Sequence, residues 1–204
     1  DIWIAEGIYD EERSWFRPDE PEPDSGALAL ASNVALLGGF SGTELVASER
    51  NPIENETTIT GKTSLNGAAA RRTIVAWEVS NARLSGIVID GDGIGTGFSV
   101  VSSSGVQIDN CQFRDIVGGQ GNSVALAVGT GSDAIVSNSQ FQGNRTTGNG
   151  GAVLLSGGVV FIDCLFQNNT ARGAGGAVSL GNGATGTFTN CRFVNNSIDV
   201  NLDG

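Results

Sequence analysis

The chain has 204 residues, a net charge of −11 from 22 acidic and 11 basic side chains, three Cys, 31 Gly, and no His or Met. Without His there is no Ser-His-Asp triad, no His general base and no His-ligated metal; the negative charge opposes a phosphate-binding surface and hence nucleic acid; and no apolar run is long enough for a transmembrane helix. A hydrophobic share of 39% suffices for a core, so the chain is not a disordered acidic tail, and its glycines lack the Gly-X-Y period of collagen. In chain order, IWIAEGIY near the N-terminus alternates like a strand. The stretch DEERSWFRPDEPEPD that follows holds three of the four prolines, which oppose both helix and central strand. It reads as an acidic, Pro-rich insertion loop over 10–26, with Trp15 and Phe16 pinning it to the body. ALALASNVALLGGF reads as an apolar strand region ending in a Gly-Gly turn. ELVASERNPIENE is polar and turn-rich, and Thr57 to Thr60 start the next strand. No segment carries a helical stripe; apolar groups of three to five residues alternate with Gly, Asn, Asp and Ser, the pattern of an all-β chain.

Residues 82–204 repeat. VQIDNCQFRDI, AIVSNSQFQGN, VVFIDCLFQNN and GTFTNCRFVNN align without gaps on Phe113, Phe141, Phe166 and Phe193, at spacings of 28, 25 and 27. ARLSGIVIDGD is a weaker copy with Ile89 in the Phe column. A period near 25 with small variation fits one coil of a solenoid. Five positions before the Phe stand Leu84, Ile108, Val136, Phe161 and Phe188; two before it stand Ile87, Cys111, Ser139, Cys164 and Cys191. Strand alternation sends these side chains inward. Between the two inward pairs the alternation slips by one, beside Gly86, Asn110, Asn138, Asp163 and Asn190, residue types that tolerate the left-handed backbone of a sharp corner. Each coil is therefore strand, corner, strand, turn, strand, and the fold is a parallel β-helix over 1–204, with N-terminal coils in 1–60. Three residues after each Phe, Asn144, Asn169 and Asn196 should form an internal amide ladder. The chain reads as an incomplete fragment of a longer protein, and an uncapped coil should make the isolated fragment self-associate.

At these residues the sequence resembles a known family. Phe141-Gln-Gly-Asn144, Phe166-Gln-Asn-Asn169 and Phe193-Val-Asn-Asn196 resemble the F-x-x-N repeats of the chlamydial polymorphic outer membrane proteins, and Gly150-Gly-Ala-Val153 and Gly175-Gly-Ala-Val178 are similar to their G-G-A-[ILV] repeats. The resemblance covers about 110–197; the coil at Phe113 departs from it, with Ile116 in the Asn position. It implies a right-handed parallel β-helix and export to the extracellular side of a bacterial outer membrane, as an adhesin or autotransporter passenger. The implied partners are a host or environmental surface, carbohydrate included, and the rest of the protein's own longer chain.

The chemistry-bearing clusters are few. The three Cys share one inward column and act as small buried hydrophobes. Parallel β-helices also host polysaccharide lyases and glycoside hydrolases, which use paired carboxylates, or Ca²⁺ with a basic residue. The enzymatic candidates are Asp90, Asp115 and Arg114, and Asp90 and Asp92 in Asp-Gly-Asp-Gly are weak Ca²⁺ candidates. The outward column beside the Phe reads Asp90, Arg114, Gln142, Gln167 and Arg192 and so holds one acid. An external Asp90–Arg114 pair is the plainer account, and Asp109 and Asp115 are further exposed acids nearby. The expectation is a non-enzymatic scaffold without a cofactor; a lyase or hydrolase on the same fold is the alternative.

Overall fold

Extended segments of two to six residues are too short to bury themselves, so each pairs with its equivalent one coil away. The computed structural model describes residues 1–11, 13, 26–61, 72–91, 95–118 and 124–202; most of the acidic insertion loop, with Trp15 and Phe16, lies outside these, as does Asp92. Two parallel sheets have seven strands each. The first runs Ile2–Ala5, Ala35–Phe40, Arg83–Ser85, Val106–Asp109, Asp133–Ser137, Gly158–Ile162, Thr185–Thr189. The second runs Gly7–Tyr9, Thr57–Thr60, Val88–Asp90, Gln112–Arg114, Gln140–Gln142, Leu165–Gln167, Arg192–Val194. A third has six strands, from Leu28–Ala29 through Arg72–Trp77, Thr96–Val101, Leu126–Val128 and Val153–Leu155 to Val178–Leu180. A fourth joins the two-residue strands Val117–Gly118, Arg145–Thr146, Thr170–Ala171 and Ser197–Ile198. The chain is an all-β parallel solenoid; the one helical element among the described residues is a 3₁₀ turn, Ala47–Glu49.

The register follows the repeat. Leu84, Ile108, Val136, Phe161 and Phe188 pair in series, and so do Ile89, Phe113, Phe141, Phe166 and Phe193. The second column extends towards the N-terminus through Ile59 and Tyr9. The rings of Phe113, Phe141, Phe166 and Phe193 stack at centroid distances of 4.6, 4.9 and 4.7 Å, and Phe161 meets Phe166 edge-on at 5.5 Å. Offset stacks along the axis and edge contacts across it fill the core. Phe113, Phe141 and Phe166 are fully buried, whereas Phe193 stands on the last coil and is 50% exposed.

Left-handed corners flank the Phe strand in the coils of Phe113, Phe141, Phe166 and Phe193. Gly86, Asn110, Asn138, Asp163 and Asn190 have φ between 48° and 68°, and so do Asp115, Gly143, Asn168 and Asn195 on the far side of the Phe strand. Gly and Asn suit these positions because their short side chains tolerate positive φ. Polar ladders satisfy the backbone groups that the corners free. The Asn144 backbone N–H and Nδ2 donate to Asn169 Oδ1, and Nδ2 also donates to Phe113 O. Asn169 repeats this towards Asn196 Oδ1 and Phe141 O. At Ile116 the ladder stops: its N–H donates to Asn144 Oδ1 while its side chain joins the core. Two shorter series use Ser. Cys111 N–H donates to Ser139 Oγ, and Ser103 N–H to Ser132 Oγ.

The Gly-Gly-Ala segments mark where neighbouring coils touch backbone to backbone. A Cβ on Gly151 would lie 1.9 Å from Gly176 O, and one on Gly176 would lie 2.4 Å from Ser197 O. One sequence expectation is corrected. ALALASNVALLGGF is not a single strand region ended by a turn: Leu28–Ala29 and Ala35–Phe40 belong to different sheets, separated at Asn33 with φ 59°. Gly38 and Gly39 lie inside the second strand, at a bulge where Trp3 pairs with Leu37 but Ala5 with Phe40. The bulge lets residues 41–56 leave and return without breaking the ladder.

Candidate functional site

The second sheet carries the candidate acids on its outward face because Phe113 and Ile89 occupy the inward one. Asp90 and Arg114 are register partners, and Arg114 Nε donates to Asp90 Oδ2 at 2.7 Å. The same guanidinium reaches one coil further: Nη2 donates to Glu56 Oε1 at 3.0 Å and Nη1 to Glu56 Oε2 at 3.3 Å. Thr58 Oγ1 donates to Glu56 as well. Asp115, on the adjacent left-handed corner, lines the same cleft of ≈ 410 Å³ with Glu56, Thr58, Thr60 and Asp90. Its carboxylate leans the other way: a Cβ on Gly143, one coil on, would fall 2.5 Å from Asp115 Oδ1. Glu56 was not among the sequence candidates. Its signal is the register of Ile59 with Ile89, which aligns Thr57–Thr60 with the repeat although no Phe marks that coil.

The electrostatics bind this cluster to itself. Arg114 holds the Glu56 carboxyl below its ordinary pKa, against burial, which raises it. Burial alone would lower the Arg114 pKa, but the hydrogen bonds it donates to Asp90 and Glu56 outweigh it and the pKa is raised. Glu56 therefore stays ionised and Arg114 stays charged. Two positions are corrected. Arg192 is not in the Asp90–Arg114 column: it pairs with Leu165, and Val194 stands beside Gln167. Asp109 is not an exposed acid beside Asp90. It lies on the first sheet, where Arg83 Nε and Nη2 donate to it at 2.7 and 3.1 Å and Ser85 Oγ at 2.5 Å. Its side chain is 13% exposed. Burial would raise the Asp109 pKa, but the hydrogen bonds from Arg83 and Ser85 prevail and it is lowered. The stability this pair lends is thus full above about pH 4 and falls away as the pH drops through the lowered value. Asp109→Asn should cost about 1–3 kcal/mol at neutral pH and flatten the acid limb of stability against pH, as read by urea melts between pH 2 and 7; an unchanged acid limb would show the pair to be idle.

The two buried thiols of the Cys column are poor nucleophiles. Cys111, Cys164 and Cys191 are free thiols. Burial pushes the Cys111 thiol up to about 12 and the Cys164 thiol up to about 11, so both are neutral near pH 7. Among the described residues no group of three or more His, Cys, Asp or Glu is placed to hold a metal ion, and no helix is long and apolar enough to cross a membrane.

A family model described as right-handed β-helix region matches residues 32–203. The chain belongs to this family, and the solenoid is a right-handed β-helix. No curated protein and no solved structure matches the chain.

Proposed function

We propose that this chain is a non-enzymatic β-helix scaffold, secreted or displayed on a bacterial cell surface, that presents its long outward face for adhesion in the manner of an autotransporter passenger. The observation that carries this reading is the state of the Arg114 cluster. A glycosidase needs one carboxyl kept protonated by a raised pKa, yet Glu56 is held ionised and Asp90 is spent on Arg114. A lyase using a basic residue needs that residue to give up its proton, and the carboxylates around Arg114 oppose this. Four amides, Gln112, Gln140, Gln142 and Gln167, stand on the same outward face and are suited to contact rather than proton transfer. The F-x-x-N and G-G-A alternation, similar to that of the chlamydial polymorphic outer membrane proteins, supports export. The partners on this reading are an environmental or host surface, carbohydrate included, and further coils of the same protein.

A second reading has its own observation: three carboxylates and an Arg line one cleft, the grouping a polysaccharide lyase or hydrolase requires. Reducing-sugar and unsaturated-product assays on pectate, alginate and neutral glycans, with Ca²⁺ present, separate the two. The expected result is no turnover; turnover abolished by Asp90→Asn or Asp115→Asn would establish the enzyme and overturn the scaffold.

A further inference from the structure

Residues 41–56 leave the solenoid and fold back against its corner as a built wall. Arg50 Nη1 donates to Gly38 O and Ser85 O, and Nη2 to Ser85 Oγ. Asn51 N–H donates to Gly39 O, and Asn51 Oδ1 accepts from the N–H groups of Ile53 and Glu54. The wall sits so close that a Cβ on Gly39 or Gly86 would lie 2.7–2.8 Å from Pro52 atoms. Between it and the next two coils runs a groove of ≈ 360 Å³, inside the size range of small-ligand sites. Its floor is a square of amides. Gln112 and Gln140 are register partners one strand spacing apart, and Asn110 and Asn138 stand on the two left-handed corners beside them. On the wall side Pro52 and Ile53, the latter 90% exposed, present apolar surface beside Ser48, Arg50 and Asn51.

We propose that this groove binds a neutral oligosaccharide. Side-chain amides both donate and accept hydrogen bonds, which matches sugar hydroxyls that do the same, while Pro52 and Ile53 offer an apolar surface to the C–H face of a sugar ring. Among the described residues no Asp or Glu lines the groove, so none of them anchors a cationic ligand. The one cation among its described lining residues, Arg50, is turned onto Gly38 and Ser85, so a strongly acidic ligand has little to hold it against a net charge of −11. An extended peptide is disfavoured too, because both floor strands, Gln112–Arg114 and Gln140–Gln142, are already paired on each side and leave no edge to extend. The site deepens the scaffold reading and rests on it only in that the outward face binds rather than cuts.

The test is titration of the purified chain with short cello-, malto-, xylo- and galacto-oligosaccharides, and with oligogalacturonate for comparison, by amide-resolved NMR and calorimetry. The expected result is saturable binding of a neutral glycan, with shifts at Asn110, Gln112, Asn138, Gln140 and Ile53. Gln112→Ala and Gln140→Ala should each weaken it about tenfold, the loss of roughly one good hydrogen bond, and Gln167→Ala, on the same sheet away from the groove, should not. Binding only of oligogalacturonate, no binding of any glycan, or binding unmoved by the two groove variants would overturn the proposal and leave the scaffold reading standing; product release in the same tubes would overturn the scaffold reading instead.

Discussion

Gly151→Ala should destabilise the chain by about 3 kcal/mol or more, although alanine is smaller than any other side chain that could replace it. The new Cβ would sit 1.9 Å from Gly176 O and 2.8 Å from Thr170 N. Both are backbone atoms of the next coil, so no rotamer change relieves the clash and the two coils must part. Parting them breaks the hydrogen bonds that tie them there, Gly151 N–H to Gly175 O and Ala152 N–H to Ala177 O. Overpacking of a well-packed site usually costs 1–3 kcal/mol; lost ladder bonds add to that. Gly158→Ala is the control, since its Cβ would lie 3.2 Å from Thr185 Oγ1, a side-chain atom that can rotate away. That variant should stay within about 1 kcal/mol of the parent. Equilibrium urea melts decide it, and equal midpoints for the two variants would remove the steric account of the Gly-Gly-Ala repeat.

Asn169→Leu should cost about 3–5 kcal/mol. Asn169 is fully buried and serves both neighbours: its Oδ1 accepts from the Asn144 backbone and side chain, and its Nδ2 donates to Phe141 O and Asn196 Oδ1. Leucine has similar volume, so the variant isolates the polar loss. It leaves the Asn144 N–H, one Asn144 amide hydrogen and Phe141 O to find other partners inside a dry core, and each unsatisfied buried group costs about 1–3 kcal/mol. The whole sum is not reached, because Asn144 Nδ2 keeps its bond to Phe113 O. A variant that melts with the parent would reduce the ladder to ornament.

Both predictions concern positions that repeat, and repetition is what made them readable. In a β-helix one coil's side chains face the same column of the next, so a residue's inward or outward sense can be read from alignment within one sequence. The slip of alternation beside Asn110, Asn138 and Asp163 marks the left-handed corners because few residues other than Gly, Asn and Asp accept that backbone. Where the repeat signal fades, legibility fades with it. Thr57–Thr60 carries the column in Ile59 rather than Phe, so Glu56 went unplaced and the acid–Arg cluster was short of its third member. Gly38 and Gly39 looked like a turn because local sequence cannot distinguish a turn from a bulge.

The sequence alone therefore determined the architecture: the period, the inward columns, the corners and the Asn positions, all consequences of a strand's two-residue alternation repeated at a fixed interval. Only the tertiary structure decided which charges meet. Arg114 gathers Glu56 from 58 residues away, Asp109 turns to Arg83 and Ser85 rather than to Asp90, and the 41–56 segment closes a groove over amides of coils it precedes. Outward side chains are long, and the irregular segments between coils differ in length, so their contacts depend on where a loop lands on the stack. A repeat fixes the stack and leaves the landing to the packing of one loop against one corner, here Pro52 on Gly39 and Gly86.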